Sequence, residues 1–256
     1  MELTTDAQRS VSVFFDALAP AYDSMTDIES RLVRERPFFH VLVERYGMRT
    51  AIDAGTGTGV HGILLAQLGV HVTAVDVSHD MLHLAEGNAI RHGVTLETVH
   101  ADLLTLTDVV KGPVDAVLCL GNTLANIVTV GELHRVFAGF RRLLKPGGVL
   151  VVQVLNYVKI PRDREVLLLS RERKGVVFER RYRPHSKLLE FETSIRRPSG
   201  VETRTVLHHP WSAGTLVSLL ADTGFKTPAI HGGIDLRIFD PEVSIDLVLV
   251  TQPDVP

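Results

Sequence analysis

The stretch 51-AIDAGTGTGVHG-62 constrains this chain more than any other. A short apolar run holding one carboxylate, Asp53, breaks into glycines at 55, 57 and 59 and then into a helical pattern beginning near Val60. Glycine adopts positive φ at little cost and, lacking a side chain, lets a ligand approach the backbone where a helix begins. Three glycines also cost conformational entropy, which points to a turn that is used. From Thr50 to about Asn156 the runs AIDA, HVTAVDV, LETVHAD, VDAVLCL and VLVVQVLN alternate with helical segments. That alternation predicts parallel strands joined by crossovers, with their carboxyl ends on the sheet edge where open α/β sheets bind ligands.

Four regions follow. Residues 1–49 read as a helical cap with apolar positions at Val13, Phe14, Leu18, Leu32, Phe38, Phe39 and Leu42, broken by Pro20 and Pro37. Residues 50–157 form the α/β core. Residues 158–209 read as an inserted antiparallel meander serving as a lid, with strands in 176-VVFERRYR-183, 188-LLEFETSIRR-197 and 201-VETRTVLHH-209. Residues 210–256 complete the core through a helix at about Ser212–Thr223, ended by Gly224, and strands near Phe225–His231 and Val243–Thr251.

Composition bounds the function. The chain has 256 residues, 45% hydrophobic and 22% charged, enough for a packed core, and its net charge of −3 gives no general attraction to nucleic acid or lipid. The segment 159–208 is locally basic, with 13 Lys/Arg against 7 Asp/Glu. A lone Cys119 forms no internal disulfide and no Cys/His spacing suggests a metal site, which fits a reducing compartment. The run 147-GGVLVVQVLNYV-158 is too short to span a bilayer and the opening decapeptide lacks a signal-peptide pattern, so a cytoplasmic location is expected.

Two ligand readings share the glycine turn. Counted from Gly57, GTGVHG fits G-x-G-x-x-G through Gly59 and Gly62, with Asp76 at the distance of a dinucleotide fingerprint, which would make the chain an NAD-dependent oxidoreductase. Counted from Gly55, the string is D-x-G-x-G-x-G, which resembles motif I of class I S-adenosylmethionine-dependent methyltransferases, and further segments match that family in order. Strand 72-VTAVDV-77 ends in Asp76, 100-HADLL-104 resembles the third motif, 118-LCLGN-122 ends the fourth strand, and 144-LKPGG-148 precedes the fifth.

The resemblance covers about residues 12–157. It implies an α/β doubly wound seven-strand methyltransferase sheet, S-adenosylmethionine as cofactor and a small-molecule methyl acceptor. Asp53, Gly55, Thr56, Gly57 and Gly59 would form the cofactor turn. Asp76 would accept from the ribose hydroxyls and Ala101, Asp102 and Leu103 would meet the adenine, with Met81 on its other face. Leu120, Gly121 and Asn122 would stand beside the methyl donor. Tyr22 in 14-FFDALAPAYDSM-25 would fold over the cofactor, and Asp23 would cap the next helix.

Together, 118-LCLGNTLANI-127 and 149-VLVVQVLNY-157 look like the glycine/sarcosine N-methyltransferase branch, which implies transfer to nitrogen and makes Asn122, Asn156 and Tyr157 acceptor-side residues. That branch has a His-Arg pair before Asn-Tyr, and this chain has Val154 and Leu155, which argues against glycine as acceptor. Transfer to oxygen or carbon, or a cofactor-binding module docking an acidic partner, stay open. Arg181, among the clustered arginines of the meander, is the candidate for an anionic acceptor. His209 is chosen from the pair His208-His209 as a group able to accept a proton from the substrate, since adjacent strand residues face opposite ways and at most one of them reaches the pocket. An edge of the meander would also suit a homo-oligomer.

Overall fold

The computed structural model describes residues 2–254, and side chains from Ser10 to Asp254. The cap is two helices, α1 (Glu2–Thr26) and α2 (Ile28–Tyr46). The prolines do not break it: Pro20 lies inside α1 and Pro37 inside α2. The break falls at Asp27, whose φ of 62° is left-handed. A proline removes one intrahelical bond, whereas burial of Phe14, Leu18 and Met25 on α1 and of Phe38, Phe39 and Leu42 on α2 holds each helix to its neighbours.

The core then runs β1 (Thr50–Ala54), α3 (Val60–Gln67), β2 (His71–Asp76), α4 (His79–Arg91), β3 (Glu97–His100), α5 (Leu106–Val109), β4 (Val114–Cys119), α6 (Val130–Leu143) and β5 (Leu144–Leu155). After it come β6 (Val166–Arg173), β7 (Val176–His185), β8 (Leu188–Arg197), β9 (Gly200–His208), α7 (Ala213–Asp222), β10 (Ala229–His231) and β11 (Asp246–Thr251). Seven strands form one sheet in the order β10-β11-β5-β4-β1-β2-β3. β1 to β5 are parallel, while β11 runs antiparallel to β5 and β10. This is the doubly wound α/β sheet expected from the alternating pattern, with an antiparallel pair added at one edge.

Both faces of the sheet are covered. Leu150, Val152 and Val154 of β5 pack with Phe137 and Phe140 of α6 and Leu216 and Leu220 of α7. The alternate residues Val149 and Val151 pack toward α2 and α3, with Phe39, Leu42, Ile63 and Leu64. Such double burial is why these strands read as continuous apolar runs. Local chemistry fixes the helix starts: Ser78, Thr129 and Ser212 accept from the amides of Met81, Glu132 and Thr215 at α4, α6 and α7.

The inserted meander has four strands, β6-β7-β8-β9, one more than its sequence suggested. The missed strand, 166-VLLLSRER-173, is an edge strand with a register shift between Leu167 and Leu169, which masks its alternation. A third apolar cluster joins Phe14, Leu18 and Met25 of α1 to Met81 of α4 and to Phe178, Ile195 and Val206 of the second sheet. This cluster seats cap and lid over the carboxyl ends of the core strands. Among the described residues no helix is long and apolar enough to cross a membrane.

Candidate functional site

A cavity of about 840 Å³ opens above the carboxyl ends of β1, β2, β4 and β5, enclosed by α1, α2 and one face of the second sheet. Its floor is the glycine turn. The amides of Gly55 and Thr56 donate to the Val75 carbonyl at 2.8 and 2.9 Å, tying the turn to β2. Gly55 has φ 81°, and a Cβ there would stand 2.3 Å from Thr123 Cγ2, so a side chain is excluded by packing. Gly57 has φ 55°, and a Cβ there would meet nothing within 4 Å, so its backbone faces open space.

The predicted residues divide by position. Gly55, Thr56, Gly57, Asp76, Ala101, Asp102, Leu103, Leu120, Gly121, Asn122 and Tyr22 all line the cavity. Asp76 ends β2 with Oδ2 accepting from Gly57 N at 2.8 Å and Oδ1 from Ser78 N at 3.0 Å. Burial outweighs these bonds and raises its pKa to about 6. Asp102 accepts from Leu104 N at 2.8 Å and is likewise raised by burial.

Others are set apart from the cavity. Asp53 lies beneath the turn, its Oδ2 accepting from Thr56 Oγ1 at 2.6 Å and Gly62 N at 3.0 Å. Gly59 packs against α4, where a Cβ would lie 3.1 Å from that of Ala85. Met81 is fully buried between α1, α4 and the lid. Asn156 spends its amide on the carbonyls of Pro241 at 2.8 Å and Ser244 at 2.9 Å, bracing the segment that leads into β11. Tyr157 is buried against Tyr182 and accepts from Asn122 Nδ2 at 3.0 Å. Asp23 caps no helix; its Oδ2 accepts from Asn88 Nδ2 at 2.9 Å.

Two expectations err by a single residue. Arg181 lies on the face of β7 turned from the cavity, paired with Glu179 at 2.9 Å and Glu165 at 3.2 Å, and the inward arginine is Arg180. His209 stacks on Trp211 with ring centroids 3.6 Å apart, and its neighbour His208 lines the cavity. Strand side chains alternate, so an offset of one exchanges the two faces.

Further cavity residues escaped the sequence reading. Arg31 of α2 donates to Glu35 at 2.8 Å, and Glu35 lies 3.2 Å from His61 of α3. Burial works to raise Glu35, but His61 and Arg31 outweigh it and hold the carboxyl well below its usual range. Asp246, at the start of β11, accepts from Gln153 Nε2 at 2.8 Å and is raised by burial. The i,i+4 spacing of Arg31 and Glu35 was visible in the sequence, but which helix face would meet the sheet edge depends on how the cap docks.

Comparison with known proteins agrees with this geometry. Residues 51–148 match the family described as "Methyltransferase domain". A glycine/sarcosine N-methyltransferase of Aphanothece halophytica is 32% identical over 152 residues, covering 59% of this chain and 57% of the relative. The chain thus spans little more than half the length of that curated relative. Among solved structures, an S-adenosylmethionine-dependent methyltransferase from Clostridium acetobutylicum superimposes with TM-score 0.77 at 16% identity, covering 92% of this chain and 100% of the other. A sugar N-methyltransferase from Streptoalloteichus gives TM-score 0.69 at 21% identity, covering 90% and 92%. The fold is that of these enzymes, and the antiparallel β11 separates it from the all-parallel order of a dinucleotide fold.

Proposed function

We infer, for a chain whose residues 51–148 match a methyltransferase domain, transfer of a methyl group from S-adenosylmethionine to nitrogen of a small-molecule acceptor. The observation that carries the reading is Asp76, a buried carboxylate lining the cavity beside the open backbone of Gly57. Its two backbone donors do not offset its burial, and the two vicinal hydroxyls of a nucleoside sugar would supply two more. Asp102 would accept from the adenine amino group, with Leu103 against the ring. Arg31, which lines the cavity, would hold the carboxylate of the cofactor's amino-acid end, and Asp53 acts one layer below by shaping the turn. The N-methyltransferase names of the relative and of the Streptoalloteichus enzyme support nitrogen as the acceptor atom.

When bound, S-adenosylmethionine supplies an electrophilic methyl on a sulfonium, attacked in line by the acceptor. The chain's task is then alignment and exclusion of water. Cap and lid close the cavity from two sides, Asn122 anchors the acceptor side through Gln153 Oε1, which accepts from the Asn122 backbone N–H at 3.1 Å, and Tyr22 reaches in from α1. Tyr157 braces Asn122 from behind. Calorimetry tests the reading: heat with S-adenosylhomocysteine and none with NAD is expected, and the reverse result rejects it. Incubation with labelled methyl donor and a panel of amines, alcohols and carbon acids then tests the acceptor atom, with label expected on amines.

A further inference from the structure

Three buried polar atoms on the inner face of the second sheet have no hydrogen-bond partner among the described residues: Arg180 Nε, Thr193 Oγ1 and His208 Nε2. They come from three neighbouring strands. Arg180 on β7 stands opposite Thr193 on β8, and His208 ends β9 with its ring stacked on Phe191 at 4.7 Å. All three residues line the cavity, and Thr193 and His208 are only 1% and 3% exposed. Each such orphan destabilises the fold, so a sheet that served only as a cover would not collect three. Arg180 also makes no ion pair among the described residues, whereas Arg181 and Arg183 on the opposite face of β7 are paired with glutamates.

A hydrogen-bond chain reaches the inner ring nitrogen of His208, Nδ1. Leu155 N donates to Asn122 Oδ1 at 2.9 Å, which fixes the amide and leaves Nδ2 to donate to the Tyr157 hydroxyl at 3.0 Å. The Tyr157 hydroxyl lies 3.2 Å from Asn122 Oδ1 and 3.1 Å from the Tyr182 hydroxyl, which in turn lies 2.6 Å from His208 Nδ1. With Nδ1 accepting, the neutral ring carries its proton on Nε2. Burial, and then the charge of Arg180, lower the His208 pKa to about 3, which keeps that ring neutral. With the proton on Nε2, the inner face shows three donors, N–H, O–H and N–H, Thr193 opposite Arg180 and His208 opposite Leu189, four residues along β8.

We propose that Arg180, Thr193 and His208 form the acceptor subsite and bind an oxyanionic group of the methyl acceptor, a carboxylate or a phosphate. The assignment to an acceptor rests on the methyl-transfer reading. This subsite lies on the lid sheet and is separate from the Val154-Leu155 end of β5.

The test uses full-length protein labelled with ¹⁵N, with and without saturating S-adenosylhomocysteine, titrated with sodium acetate, inorganic phosphate and acetamide. The Arg180 Nε–H and His208 Nε2–H resonances are followed, assigned by their loss in Arg180→Lys and His208→Gln. Acetate or phosphate is expected to move both while acetamide moves neither, and the anion that moves them identifies the source. In Arg180→Met the anion dissociation constant, read on His208, rises at least tenfold, and in Thr193→Val it rises severalfold. S-adenosylhomocysteine affinity within twofold of wild type certifies the fold, and Arg180→Lys, which keeps charge but loses the fork, replaces a methionine variant that fails this check. Silence of both resonances toward both anions, an equal response to acetamide, or an unchanged constant in the Arg180 variant overturns the site. Anion binding in a protein that ignores S-adenosylhomocysteine overturns only the assignment to a methyl acceptor.

Discussion

Asp76 makes cofactor affinity a function of pH, with a sign that its environment fixes. Burial raises its carboxyl to about 6, and sugar hydroxyls that donate to it favour the ionised form. The bound pKa is therefore lower than the free one. Affinity for S-adenosylhomocysteine is expected to be flat above pH 7 and to weaken as pH falls through 6, by up to about tenfold per unit until the bound pKa is reached. Titration calorimetry at several pH values checks this, and Asp76→Asn is expected to bind weakly with no slope. Asp53 behaves differently because it faces Thr56 and Gly62 below the turn. Asp53→Ala strips acceptors from two buried donors and is expected to cost about 1–3 kcal/mol of stability in denaturant unfolding. The sequence disclosed these carboxylates through their place after strand runs, but it did not disclose strand parity. Arg180 against Arg181 and His208 against His209 are choices between the two faces of one strand, settled only by how the second sheet docks on α1.

At the scale of elements, Met81 separates a packing role from a ligand role. It lies in the first turn of α4, fully buried where α1 and the second sheet meet that helix. Met81→Ala is expected to lose about 2–5 kcal/mol of stability, while S-adenosylhomocysteine affinity, measured well below the new melting temperature, changes less than threefold. A large loss of affinity with little loss of stability would return Met81 to the adenine face. The parallel strands were legible because double burial leaves an uninterrupted apolar signal. β6 was not, since an edge strand with a register shift loses its alternation. The cap helices were legible in outline, but the sequence put the breaks at Pro20 and Pro37 and the fold puts one at Asp27, because buried apolar faces outweigh one missing hydrogen bond per proline.

For the whole molecule, the decisive property is how unevenly it is held together. The seven-strand sheet is packed on both faces, whereas cap and lid meet through one smaller apolar cluster and the ion pairs of Asp27 with Arg171 and Arg173. Those pairs are partly exposed and weakened by solvent screening, so the apolar contact carries the closure. Opening of cap and lid is then cheaper than opening of the core, and hydrogen exchange follows local opening free energies. A cofactor held between them binds the closed arrangement and stabilises it by mass action. Adding S-adenosylhomocysteine is expected to slow amide exchange in residues 10–26 of α1 and in β7 and β8, and to leave β4 and β5, already the slowest, unchanged. Raising salt from about 0.05 to 0.5 M is expected to leave this protection in place, because ion pairs are screened over that range and apolar contact is not. Protection confined to the glycine turn would mean that cap and lid do not close on the cofactor, and loss of protection at high salt would mean that Asp27 and its arginines hold them shut.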